Sequence, residues 1–168
     1  MATADTSHNE HDIYWALARI VLGFIFLWAF FDKVFGLGYS TKPDQAWING
    51  GSPTSGFLMH GVQGPLADFY HSLAGNPLVD WLFMLGLLGI GVALILGIGL
   101  KIAGYAGALL TLLMWSSLFP SATNPLFDEH VVYAFLFLGF AHTHVGRSLS
   151  FATWWKNTDL VKHNPFLE

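Results

Sequence analysis

Residues 78–119 read LVDWLFMLGLLGIGVALILGIGLKIAGYAGALLTLLMWSSLF. After Asp80 the only charge in this stretch is Lys101. A helix crosses the bilayer's hydrocarbon with roughly 20 apolar residues. The stretch is long enough for two such helices, residues 78–100 and 102–119. Gly97 and Gly99 can break the helical pattern between them, and Lys101 can reach water, so a tight helical hairpin is expected. Barrel strands alternate apolar and polar residues, and these runs do not.

Two more apolar runs flank this pair, at residues 13–35 and 130–147. The composition agrees: 54% of the 168 residues are hydrophobic and 11% charged, where a soluble domain carries about 25% charged residues. The expected fold is therefore an all-α membrane protein, a four-transmembrane-helix bundle over residues 13–147. A net charge of −4 argues against a nucleic-acid partner. The absence of cysteine excludes disulfides, thiolate metal ligation and a thiol relay within the chain.

Residues 1–12 form a polar N-terminal lead without a secretory signal's basic start, expected to be disordered and retained. Residues 36–77 make a connection of about 40 residues, too long for a plain loop. Its two apolar patches, Ala46–Pro53 and Pro65–Leu73, are too short to span and suit interfacial half-helices. This segment is expected to cap the bundle. Residues 148–168 interleave Phe151, Trp154, Trp155 and Leu160 with Lys156 and Lys162, as an interfacial C-terminal tail would. Small residues recur at four-residue spacing in Ala93/Gly97, Gly99/Ala103/Gly107 and Gly104/Ala108, which is expected to serve close packing of the second and third spans.

Four spans put both termini on one side. Lys101, Arg147, Lys156 and Lys162 share that side, with Arg19 just inside the first span; Lys33 and Lys42 lie opposite. The positive-inside rule then places both termini in the cytoplasm and residues 36–77 outside the cell membrane.

Charges near membrane depth are costly and need partners. At the outer span ends lie Asp32 and Lys33, Asp80, and the run Asp128-Glu129-His130. Asp80 and Asp128 follow Asn-Pro turns, where an acid complements the start of a helix. Asp32 sits near a helix C-terminus, where the dipole disfavours an anion, so it or Lys33 is expected to meet Asp80 or the 128–130 cluster on another helix. Arg19 either snorkels to headgroups or pairs inside the bundle.

No nucleophile motif, phosphate loop or dinucleotide fingerprint is present. Haem b needs axial histidines on facing helices, and only His11 with His142 or His144 offers that, so haem is not expected. His142 and His144 are two residues apart and do not share a helix face, and no metal site is expected.

The run Arg19-x-x-x-Gly23 followed by Phe24-Ile-Phe-Leu-Trp-Ala-Phe-Phe-Asp32-Lys33-Val-Phe-Gly36 resembles the first helix of the DoxX-like membrane family. Three further runs strengthen the likeness: Ala46-Trp47-Ile48-Asn49-Gly50-Gly51-Ser52-Pro53-Thr54, Val79-Asp80-Trp81-Leu82-Phe83-Met84-Leu85-Gly86, and Asn124-Pro125-x-x-Asp128-Glu129-His130. The chain is most similar to the DoxD branch, named for the large subunit of an archaeal thiosulfate:quinone oxidoreductase. The resemblance implies a four-helix membrane subunit passing electrons from a sulfur compound to quinone, together with a second subunit and with no covalently bound cofactor. It thus implies at most one subunit of an oxidoreductase; the alternative is a non-catalytic subunit that docks or stabilises a larger membrane complex, and oligomers are open to either. On the redox reading, Asp32, Lys33 and His130 are the catalytic candidates. Trp47, Asn49, Asp80, Trp81, Asp128 and Glu129 are the ligand-binding candidates. Trp28, Phe31, Trp47 and Trp81 can flank a flat quinone ring, and His130 can carry a proton near neutral pH.

Overall fold

The computed structural model describes residues 3–122, 124–143 and 147–167, with side-chain surroundings from Asp12 onward. No strand occurs among the described residues. The first helix, α1, runs Thr3–Phe35, so residues 3–12 of the polar lead are helical and not disordered. Two short helices follow in the connection, α2 at Ser55–His60 and α3 at Ala67–Ser72. The hairpin pair is α4, Pro77–Leu96, and α5, Leu100–Ser117. Helix α6 runs Glu129–His142, and the tail holds α7, Ala152–Lys156, and α8, Asp159–His163.

The ends of α4 follow from its sequence. The Asn76 side chain accepts from the Leu78 N–H at 2.9 Å, and Pro77 needs no hydrogen bond at the first helical position. Gly97 stops the helix in the left-handed conformation, φ +68°, with its N–H on the Ala93 carbonyl.

Among the described residues, three helices are long and apolar enough to cross a membrane: residues 12–35 of α1, α4 and α5. The fourth expected span is shorter than its sequence suggested. Helix α6 has 14 residues, which at the helical rise is about 21 Å against a hydrocarbon thickness of about 30 Å. Thr143 ends it in an extended conformation while its hydroxyl and N–H both turn back to the Gly139 carbonyl. Residues 144–146, within the predicted span 130–147, lie outside the described residues.

Helices α1, α4, α5 and α6 share one core. Leu22 and Phe26 of α1 meet Met84, Leu87, Ile90 and Leu94 of α4, Ala108 of α5, and Ala134, Phe137 and Phe140 of α6. Phe26 and Phe137 meet edge-to-face at 5.2 Å. The small residues of α5 serve a different neighbour from the one their spacing suggested. A Cβ on Gly104 would lie 2.6 Å from Ala141 Cβ, and one on Gly107 would strike the Phe137 ring, so these glycines admit α6 instead of α4. The outer faces leave Val21, Phe24, Leu82, Leu85, Leu109, Val132 and Phe135 exposed. Apolar surface on that scale on a helical bundle suits a lipid bilayer.

Residues 36–77 carry their own small core of Leu58, Val62 and Tyr70. The Tyr70 hydroxyl bonds the Leu113 carbonyl at 3.0 Å and Ser116 Oγ at 2.6 Å, and the Gln63 N–H donates to the Ser117 carbonyl at 3.1 Å. These bonds seat the connection on the C-terminal end of α5.

Candidate functional site

The end of the bundle under residues 36–77 gathers the C-terminus of α1, the N-termini of α4 and α6, and the C-terminus of α5. Asp32 is 1% exposed there. Its carboxylate accepts from the N–H groups of Tyr39 at 3.2 Å and Ser40 at 3.0 Å, and from Ser40 Oγ at 2.6 Å. The chain reverses through Gly36 and Gly38, both at positive φ, and this turn aims loop donors back at the helix end. Those donors offset the unfavourable helix dipole that Asp32 meets.

Asp80, in the first turn of α4, is 7% exposed. One of its oxygens accepts from Ser52 Oγ at 2.9 Å, the Thr54 N–H at 3.2 Å and Thr54 Oγ1 at 2.5 Å. Asp128 caps α6, accepting from the His130 N–H at 3.0 Å and pairing with His130 Nδ1 at 3.0 Å. Lys33 places its ammonium 5.8 Å from the centre of the Phe83 ring, a cation–π distance. Trp47 and Trp81 meet edge-to-face at 4.7 Å, joining the connection to α4. Asn49 turns back within its own loop, donating to the Pro43 carbonyl at 2.9 Å.

The expected meeting of Asp32 and Lys33 with the other acids does not take place. Among the described residues no hydrogen bond or ion pair joins Lys33 to Asp80 or to residues 128–130. Asp32 and Asp128 instead find donors within eight residues of themselves, and Asp80 takes the hydroxyls and amide of Ser52 and Thr54 from the connection. Ser40, Ser52, Thr54 and Phe83 are partners that sequence reasoning did not single out. Ser52 and Thr54 stand in the quoted 46–54 run, beside a Gly-Gly turn, and that is the signal that could have named them.

Ligand atoms of Asp128, Glu129 and His130 lie within 4.8 Å of one another, close enough to share a cation. His130 Nδ1 is already bonded to Asp128, and Glu129 is exposed. His142 has both ring nitrogens engaged, one by the Tyr105 hydroxyl at 2.9 Å and the other by the Leu138 carbonyl at 3.0 Å. His144 and the side chain of His11, the other haem candidates, lie outside the described residues.

At the opposite end, Arg19 does not snorkel. It is fully buried. Its guanidinium donates to the carbonyls of Leu94, Ile95, Ser148 and Leu149, the first two in the last turn of α4. Asp12 accepts from the Ser148 N–H at 2.9 Å and from its hydroxyl.

No known family model, curated protein or solved structure matches this chain.

Proposed function

We propose that the chain is the integral membrane subunit of a quinone-linked redox complex, acting on a sulfur compound with a partner subunit, as the DoxD resemblance implies. On this reading α6 is the fourth span. Both termini face the cytoplasm and residues 36–77 cover the outer face. The observation that supports a quinone site is the Trp47–Trp81 pair at the end of the bundle that also holds Lys33 over Phe83. Aromatic faces suit a flat ring, and an ammonium can donate to a quinone oxygen as negative charge develops there. His130, hydrogen-bonded to Asp128, is the group placed to exchange protons with water. Reduction of quinone to quinol takes two electrons and two protons. The chain has no cysteine to carry sulfur covalently, so the reading assigns sulfur oxidation to the partner subunit.

A second reading, a non-catalytic docking subunit, is favoured by one specific observation. Asp32, Asp80 and Asp128 are each occupied by donors from the chain itself. Purification from native membranes in mild detergent separates the two. The redox reading expects quinone in the lipid extract, a co-purifying partner and thiosulfate-dependent quinone reduction by the complex. A stable complex that contains neither quinone nor quinone reductase activity would leave the docking reading standing and sink the redox one.

A further inference from the structure

The turn between α4 and α5, with the tail folded onto it, builds a second site at the end of the bundle away from residues 36–77. Gly97, Gly99, Leu100, Trp155, Arg147 and Lys156 line a small recess there. Leu96, Ile98, Phe151 and Trp154 line another, with apolar side chains alone. Both recesses draw on the same two segments, 96–100 and 151–156, with Arg147 added in the first. Both segments are held in place. The Phe151 N–H donates to the Leu96 carbonyl at 2.9 Å, and Arg19 bonds carbonyls on both sides of the junction. Phe151 and Trp154 are 60% and 63% exposed. Among the described residues the Arg147 guanidinium has no hydrogen-bond or ion-pair partner. Lys101 stands on the adjoining first turn of α5, its ammonium over Phe166.

Helices α4 and α5 are both long and apolar enough to cross a bilayer, so the turn that joins them lies at the boundary of hydrocarbon and water. A soluble anion has no use for the apolar recess. A zwitterionic lipid gains little from a cluster of cations. An anionic phospholipid uses both. We propose that this junction binds one anionic phospholipid, its phosphate at Arg147 and Lys156 and an acyl chain along Leu96, Ile98, Phe151 and Trp154. The inference rests on α4 and α5 crossing the membrane and not on the redox reading.

Native mass spectrometry of the full chain in mild detergent tests it, with phosphatidylglycerol and phosphatidylcholine of identical chains as probes. The expected result is a preference for phosphatidylglycerol on the order of tenfold, from two basic contacts near the surface. The double variant Arg147→Gln/Lys156→Gln should bring the two lipids close to parity. Trp154→Ser should weaken both while keeping their ratio. Equal binding by the unmodified chain, or an undiminished preference in the double variant, overturns the proposal. So does full displacement by millimolar inorganic phosphate, which would mark a soluble-anion site. Should the double variant fail to fold, brominated lipids decide with the native chain. The part of the tryptophan fluorescence lost in Trp154→Phe must be quenched more strongly by brominated phosphatidylglycerol, and equal quenching overturns the proposal.

Discussion

Thr54 Oγ1 donates to Asp80 Oδ1 at 2.5 Å, tying the connection between α1 and α4 to the first turn of the helix that follows it. The same oxygen takes the Thr54 N–H and the Ser52 hydroxyl, so one carboxylate oxygen fixes a whole turn. Asp80→Ala leaves three donors without their acceptor and should cost about 2–3 kcal/mol. Asp80→Asn keeps an acceptor and should cost about 1 kcal/mol. Hydrogen exchange in detergent should rise at residues 52–60 in Asp80→Ala, ahead of the core of α4. Unchanged protection at those residues would show that the turn holds without Asp80.

Arg19 works at the other end of the bundle. Carbonyls in the last turn of a helix lack intrahelical donors, and the Arg19 guanidinium supplies them for α4 while also binding residues 148 and 149. Arg19→Met keeps much of the apolar stem but strands four carbonyls in a buried place. The expected loss is about 3 kcal/mol or more, read as a lower thermal unfolding midpoint in detergent. Arg19→Lys restores the charge but not the fork of donors, and should recover less than half of the loss. Full rescue by lysine would mean that charge alone matters at this position.

Two glycines separate space from backbone conformation. Gly97 and Gly75 both have positive φ, +68° and +74°. A Cβ on Gly97 would lie 2.9 Å from Arg19 Nη1 and strike Ser150, whereas one on Gly75 meets nothing within 4 Å. Gly75→Ala should cost about 1 kcal/mol, the price of the left-handed backbone. Gly97→Ala should cost at least about 2 kcal/mol more, since it also forces Arg19 off its carbonyls. Equal losses in the two variants would show that Arg19 gives way freely.

How far the sequence carried depended on whether the deciding physics was local. Residues 78–119 announce two apolar helices and the Gly97 break because length, hydropathy and glycine act over a few neighbours. The stop of α6 at His142 was not legible, since residues 130–147 read as one apolar run and Thr143 ends the helix by turning back on Gly139. Gly104 and Gly107 were visible as close-packing residues, but spacing does not name the helix that approaches, and that helix is α6. The acids Asp32, Asp80 and Asp128 were readable as groups needing partners. Their partners were not, because a turn's hydroxyls and amides carry no long-range signature. Arg19 had two readings until its four carbonyls were located.

The sidedness proposed for the chain has a direct check. Ser7→Cys and Ser52→Cys introduce the only thiols into a cysteine-free chain. With both termini cytoplasmic, an impermeant maleimide added to intact cells should label the thiol at position 52 and spare the one at position 7. Labelling at position 7 alone would invert the orientation, and labelling at both would remove the bundle from its proposed setting.

Lys33 is the residue on which the quinone reading turns. Its ammonium lies over Phe83 and has no carboxylate hydrogen bond among the described residues, so it can turn to a ligand without breaking an ion pair. If it donates to a quinone oxygen, Lys33→Met should lower kcat/KM for quinone in the native complex by about 100-fold, the usual scale for one donor to a developing oxyanion. Lys33→Arg should retain part of the rate, because the charge remains while the donor geometry changes. His130→Ala should act differently, lowering kcat for quinone reduction more than KM, since it removes a proton relay and not a ring contact. The unfolding midpoint separates this from a structural role: a cation–π contact of this kind contributes only about 0.5–2 kcal/mol, too little to abolish assembly. Full quinone reduction by a folded Lys33→Met complex would move the site elsewhere and leave Lys33 as a packing residue over Phe83.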